Sequence, residues 1–444
     1  MAAKLSKRVL DIAGLTRRVP LYYGWVIVGC AVLAAFARQG SAVATLSVFI
    51  NPMSAEFGWS RTAISGAVSL GGVLAAVIAP WVGTIVDRHG ARVVLSLGAV
   101  VVGLACLALS FTTSLVWFYV AFAIGRLTFA SPFDIGISSA IARWFVRRRA
   151  QAMSYVTVGS TLGLAAMPML AFVVIDASGW RMGWIALGVT VLVVGAIPNA
   201  VLMRRRPEDF GLAPDGAGGG AENNASADVA KAPLGAERQY TRAQALRTPA
   251  LWLLMAFSVC IYPVQAGISL HQAPHLIEQG MSPAVAASVV STYSLFAAVC
   301  ALGFGIIGRW WPIRFGLALA AAMMAVAAFF MITIATPLEA YLSAALFGGG
   351  IGGVMTLLPV AWANYFGREH FGAIRGITLP VQVLAQAIGP LLAGVLYDAK
   401  GSYTWSLVTL GTLAVVGAGI AMVARPPKPI HPNDMGQPEN LKPL

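Results

Sequence analysis

Charge is scarce in this sequence. Only 11% of its 444 residues are Asp, Glu, Lys or Arg, against about 25% in an ordinary soluble domain. Water is therefore not the chain's main solvent. Acids are rarer than bases, 17 against 30, which leaves a net charge of +13. The bases stand in short clusters between apolar runs, with no zinc-ligand spacing and no basic-aromatic RNA motif, and this excludes a nucleic-acid module. Cysteine is scarce too. Cys30, Cys106, Cys260 and Cys300 all fall in apolar stretches without a C-x-x-C pair, so no disulfide framework or thiolate metal site is expected. Val28-Gly29-Cys30 has the look of a lipoprotein cleavage box, but the apolar run continues to about Ile50, which reads as a spanning helix. No Ser-His-Asp arrangement or phosphate-cradling loop lies within the apolar runs, so neither an enzyme nor a cofactor is expected.

What the chain has in quantity is hydrophobicity, at 58%. Apolar runs of about 18 residues or more, each long enough to cross roughly 30 Å of hydrocarbon, recur along it. Turn and charge punctuation place helices at 22–50, 61–86, 92–111, 115–141, 150–175 and 181–203, then at 250–277, 284–308, 313–335, 338–365, 373–397 and 402–424. The fold class expected is all-α integral membrane, with twelve transmembrane helices in two six-helix pseudo-symmetric bundles. The domains are a cytoplasmic N-terminal segment at 1–21, a first bundle at 22–203, a flexible cytoplasmic linker at 204–248, a second bundle at 249–424 and a cytoplasmic tail at 425–444. The linker composition, with Arg204-Arg205-Arg206-Pro207 and Gly218-Gly219-Gly220, is too polar and small to bury a core. A sequon at Asn224-Ala225-Ser226 is discounted because a cytoplasmic loop never meets the glycosylation machinery.

Orientation follows from the basic residues, which concentrate in short cytoplasmic loops. One side carries Lys4, Lys7, Arg8, Arg17, Arg18, Arg88, Arg92, Arg143, Arg147, Arg148, Arg149, Arg309, Arg314, Arg368 and Arg375; the other offers only Arg61, Arg181 and Lys400. An even number of spans then puts both termini inside. The alanine-rich, arginine-over-lysine composition points to a bacterial inner (plasma) membrane.

The loop between the second and third runs reads Gly83-Thr84-Ile85-Val86-Asp87-Arg88-His89-Gly90-Ala91-Arg92. It fits G-x-x-x-D-R-x-G-x-R and so resembles the signature of the major facilitator superfamily. Gly83 permits close helix approach, Gly90 a tight turn, and Asp87 a pairing with arginines across an interface, with Arg88 and Arg92 completing a conformational latch. The second-half copy, Gly305-Ile306-Ile307-Gly308-Arg309, has no acid, and a weaker latch is expected there. Tyr23-Gly24-Trp25, Phe57-Gly58-Trp59-Ser60-Arg61 and Trp144-Phe145-Val146-Arg147-Arg148-Arg149-Ala150 resemble the monocarboxylate transporter and oxalate/formate antiporter branch. The resemblance implies a carrier of small organic anions, often coupled to protons or to a counter-anion. That branch places a charged residue in helix 8 and, in the exchangers, a lysine in helix 11. Here 284–308 is uncharged and 378–397 offers only Gln382 and Gln386, so oxalate or lactate specificity does not carry over.

A charged group at the bilayer centre costs roughly 2.5–3.5 kcal/mol even on the lenient insertion scale, so each asks for a partner or a function. Arg38 lies in the first run and Arg126 near the middle of the fourth. Both are candidates to meet a substrate carboxylate, which a planar guanidinium fork matches with two oxygens. Asp134 is the one acid well inside a run. It is either a charge partner of an arginine or a proton carrier. On a straight helix it lies some 12 Å and about 80° from Arg126, so those two do not touch. His271 and His275, four apart towards the outer end of the seventh run, share a face and suit substrate contact, an outer gate or plain packing. No cysteine or carboxylate cluster completes a metal site with them.

The function expected is secondary active transport of a small organic anion, a carboxylate, by rocking the halves about a central site, with proton coupling or anion exchange. The substrate and the lipid bilayer are the expected partners, with a monomeric state. A proton-linked exporter of amphipathic compounds is the competing carrier, and a ligand-binding membrane receptor the competing class.

Overall fold

In a computed structural model, residues 22–216 and 239–427 are described. The N-terminal segment 1–21, the middle of the expected linker at 217–238 and the tail from 428 lie outside the described residues. Among the described residues, twelve helical stretches are long and apolar enough to cross a bilayer. The first span is α1 (Gly24–Ala37) and α2 (Val43–Phe57) about a 3-10 turn at Arg38–Ser41. The second and third are α3 (Arg61–His89) and α4 (Ala91–Ser110), and the fourth is α5 (Leu115–Ala130) continued by α6 (Pro132–Trp144). The fifth is α7 (Arg149–Ser178), and the sixth is α8 (Trp180–Thr190), a π-helical stretch at Val191–Ala196, and α9 (Ile197–Val201). A short α10 (Arg242–Leu246) precedes α11 (Pro249–Glu278), α12 (Pro283–Ile307), α13 (Ile313–Ile332), α14 (Pro337–Phe366), α15 (Phe371–Lys400) and α16 (Thr404–Val423).

Helix ends are set by short-range chemistry. The Ser60, Ser114, Ser282 and Thr336 hydroxyls accept amide hydrogen bonds from the first turns of α3, α5, α12 and α14. Such caps satisfy amides that have no partner inside the helix. In α14, Gly348 and Gly352 let the backbone lie directly on Tyr293 and Ala297 of α12, where a Cβ would strike their carbonyl oxygens.

The two halves are fastened at the end that carries the basic loops. Thr356 of α14 donates to Thr157 of α7 at 3.2 Å, and Arg149 of α7 donates to Asn364 of α14 at 3.0 Å. Arg368, in the loop after α14, donates to the carbonyl of Arg143 at 3.1 Å. Gly83 of α3 and Gly372 of α15 meet backbone to backbone, as do Gly376 and the Ala79-Pro80 stretch. A small apolar cluster of Ala79, Val82, Val86, Val94, Ile135 and Leu379 joins α3, α4 and α6 to α15.

The described ends of the linker are packed against this basic end. Asp215 accepts from the backbone amides of Val146, Arg147 and Arg148 at 2.9, 2.7 and 3.2 Å, so that it caps the approach to α7. Glu208 pairs with Arg368 at 2.7 Å, and the Tyr240 amide donates to the Phe366 carbonyl at 2.9 Å.

Candidate functional site

Two breaks in the spans build the site. In the first span the helix opens at Arg38–Ser41, and Ala42 is extended at ψ 156°. The carbonyls freed there are taken up by hydroxyls: Ser41 donates to Arg38 at 3.3 Å and Thr45 donates to Gln39 at 2.7 Å. Ser41 also donates to the carbonyl of Gly125 at 3.2 Å. This contact brings the break beside Arg126. In the fourth span Pro132 has no amide to continue the helical ladder, and the chain turns at Ser131 (φ −116°, ψ −65°) before α6 resumes. Arg126 and Phe129 close α5, and Asp134 lies in the first turn of α6.

Arg38 and Arg126 meet on one aromatic ring. Their guanidinium carbons stand 4.8 and 4.6 Å from the Phe129 ring centroid. Arg38 also reaches the Ser160 hydroxyl at 3.5 Å, which Gln39 holds at 2.9 Å. Among the described residues, the buried Nε atoms of both arginines have no hydrogen-bond partner, and neither guanidinium forms an ion pair. Arg38 feels the Asp134 carboxylate only at a distance, and the charge that Arg126 feels is that of Arg38.

Asp134 is occupied by a third arginine. Arg375 of α15 donates to its Oδ1 at 2.5 Å, to Gln382 at 3.1 Å and to the Thr378 hydroxyl at 3.3 Å. The sequence groups Arg375 with the loop bases that orient the chain; instead its side chain is 3% exposed and runs along α15 to Thr378 and Gln382. Residues near a helix end read as orientation signals in sequence, and the length of the guanidinium arm carries the charge about one turn inward, where the Gln382 side chain meets it. Tyr262 of α11 lies within electrostatic reach of Arg38, Asp134 and Arg375 and completes the group from the second half. Phe129 had a legible signal, three residues after Arg126 and so on the same helix face. Tyr262 and Arg375 had none.

The remaining candidates stand elsewhere. Gln382 holds Arg375, while Gln386, one turn on, makes no hydrogen bond among the described residues. His271 shares hydrogen bonds with Tyr403 at 3.3 Å and the Pro390 carbonyl at 3.2 Å, and His275 donates to the Met331 carbonyl at 2.8 Å. Both lie inside the second half, around a cavity of about 10 Å³ lined also by Gln272 and Tyr403. They are not brought to the arginines.

At the latch, Asp87 is 3.2 Å from Arg143 of its own half. Across the interface its partners are backbone amides and not arginines: Gly372 at 2.9 Å and Ala373 at 2.7 Å, in the first turn of α15. Arg92 donates to the Ala200 carbonyl at 2.6 and 2.9 Å and so ties α4 to α9; Gly90 turns at φ +83°. Arg88 forms no ion pair among the described residues.

Comparison with known proteins agrees with this architecture. The family model for the Major Facilitator Superfamily matches residues 27–382. Monocarboxylate transporter 12-B of Danio rerio is 24% identical over 409 residues, covering 86% of this chain and 83% of that one. Human monocarboxylate transporter 2 is 21% identical over 415 residues, covering 89% and 84%. The membrane sensor protein UhpC of Salmonella typhimurium is 26% identical over half of each chain. Among solved structures, the human organic anion transporter MFSD10 superposes with a TM-score of 0.68 at 16% identity over 90% of this chain and 100% of its own. A bacterial homologue of the iron transporter ferroportin in its outward-facing state gives 0.67 at 13% identity over 91% and 99%. These two likenesses speak for the fold.

Proposed function

Since the chain belongs to the major facilitator superfamily, we propose that this secondary transporter carries a small organic anion bearing a carboxylate, bound between its halves by Arg38 and Arg126. The observation that carries the reading is the pair of guanidinium groups on the Phe129 ring, neither neutralised by an ion pair of its own. Asp134, the acid within the span, is committed to Arg375, so the group as a whole keeps an excess of positive charge. An anion relieves that excess, and a carboxylate offers each fork two acceptor oxygens. The names of the relatives, monocarboxylate transporters and an organic anion transporter, point the same way.

Alternating access follows from where the halves are fastened. Bonds at the basic end hold the site closed to that face, so the substrate enters from the other and leaves after the halves rock. On this reading the closed face, which carries the basic loops, is the cytoplasmic one, and both termini lie on it in the plasma membrane. Asp134 serves as the charge partner of Arg375, and Asp87 as the latch. His271 and His275, bonded within the second half, serve to hold α11 against α13, α15 and Tyr403 before α16.

The test is thermal stability of the detergent-purified protein against a panel of carboxylates, because a ligand that binds the folded form raises its melting temperature. A carboxylate is expected to stabilise the parent, and Arg126→Gln to lose roughly ten- to a hundred-fold in affinity, the worth of charge-assisted hydrogen bonds of about 1.5–3 kcal/mol. Stabilisation of both chains by cationic or neutral amphiphiles, with no response to anions, favours the exporter instead. Flux into proteoliposomes then separates a carrier from a receptor.

A further inference from the structure

The Asp134–Arg375 pair joins helices of opposite halves, α6 and α15. Rocking cannot part the halves on the basic side while that pair is intact. Its environment makes it hard to break unaided. The Arg375 side chain is 3% exposed, its Nε has no partner among the described residues, and its other acceptors, Gln382 and Thr378, are neutral. An enclosed guanidinium that loses its counter-charge without replacement is costly, far more so than one at the surface. Ile135 and Leu379, next to Asp134 and one turn from Arg375, belong to the apolar cluster that closes the halves at this level.

Asp134 is the more exposed partner of the pair. Asp134 is 23% exposed, feels Arg38 across the site, and stands just past the Ser131–Pro132 joint from Arg126 and Phe129. Tyr262 lies within reach of Arg38, Asp134 and Arg375 together. A carboxylate arriving at the arginines therefore enters the same local field as the pair. It can supply the negative charge that Arg375 needs when Asp134 withdraws.

We propose that the Asp134–Arg375 pair is the inner lock of the carrier: it holds the halves together until a carboxylate on Arg38 and Arg126 competes for Arg375, a release step that rests on the anion reading above. The lock itself does not depend on the substrate's identity. Occupancy of the upper site is thereby coupled to opening below.

Leu379, 1% exposed in the seal, is the reporter position. Leu379→Cys is placed in a chain whose Cys30, Cys106, Cys260 and Cys300 are replaced by serine or alanine, and is labelled with an impermeant maleimide from the basic-loop side of proteoliposomes. Labelling is expected to be slow in this background and with Arg375→Lys, which keeps the charge, and at least ten-fold faster with Asp134→Asn or Arg375→Gln. Each chain is first checked for monodispersity, and either neutral variant suffices. Equal rates in every chain overturn the lock. A carboxylate that stabilises the protein is then added: faster labelling in the background chain, with no further gain in Asp134→Asn, supports release by substrate. A carboxylate that binds yet leaves labelling unchanged overturns the release step while the anion reading stands. If no carboxylate binds, the anion reading falls and takes the release step with it, and the variants alone decide the lock.

Discussion

Asp87 Oδ2 accepts the backbone amide of Ala373 at 2.7 Å, so a side chain of the first half caps a helix of the second. Its Oδ1 takes the neighbouring amide of Gly372 at 2.9 Å, and Arg143 stands behind it at 3.2 Å. The carboxylate meets the amide end of α15, where a helix carries partial positive charge. The bond exists only while the halves are together on the basic side.

We predict that Asp87→Ala shifts the conformational balance towards opening on that side. Loss of a cap costs about 1 kcal/mol, roughly a five-fold change in population. Electron-spin distances between labels on the loops before α4 and α15 measure it, and an unchanged distance distribution counts against the latch.

Gly83 supplies a second test of the same interface. A Cβ there would meet the carbonyl oxygen of Gly372, a backbone atom with no room to yield. Gly83→Ala is expected to widen the distance between the same labels, whereas Gly394→Ala, with no heavy atom within 4 Å of its Cβ, leaves it unchanged. Equal effects from both would remove close approach as the reason.

Phe129 holds two guanidinium groups in one place. Phe129→Leu keeps the apolar volume but loses the ring face, worth about 0.5–2 kcal/mol per cation. Affinity for the carboxylate found in the thermal screen is expected to fall several-fold, and the melting temperature in the absence of anion to fall as well, since both ring contacts are present without ligand. Retained affinity would mean that the ring does not position the arginines.

Asp215 orders the loop of Val146, Arg147 and Arg148 through three backbone amides. With Asp215→Ala those amides lose their acceptor, and trypsin is expected to cut at Arg147 and Arg148 faster in everted vesicles. Cutting at Arg247 in the same vesicles serves as the reference, and a parallel rise there would indicate general loosening instead.

Much of the fold was legible because the bilayer enforces it. Arg126, Asp134 and Arg38 stood out in sequence for the same reason, since charge within an apolar run is expensive. Their arrangement was not legible. A straight fourth span keeps Asp134 away from Arg126; Pro132 announces a break there, but nothing local announces that Asp134 faces Arg375, 241 residues away in sequence. His271 and His275 illustrate the limit from the other direction: their spacing shows that they share a helix face, but the neighbours that occupy that face, Pro390, Met331 and Tyr403, come from other spans.

The sequence by itself determined the number of spans, their approximate ends, the two six-helix halves and the few side chains whose charge demanded a partner. These depend on hydropathy, turn residues and cost of burial, all properties of short stretches. Tertiary structure alone decided that Arg38 and Arg126 share Phe129, that Asp87 caps α15, and that Arg375 leaves the loop bases to bind Asp134. Each of those joins residues from separate helices, and their meeting depends on where two helices break and how closely glycines let the halves approach.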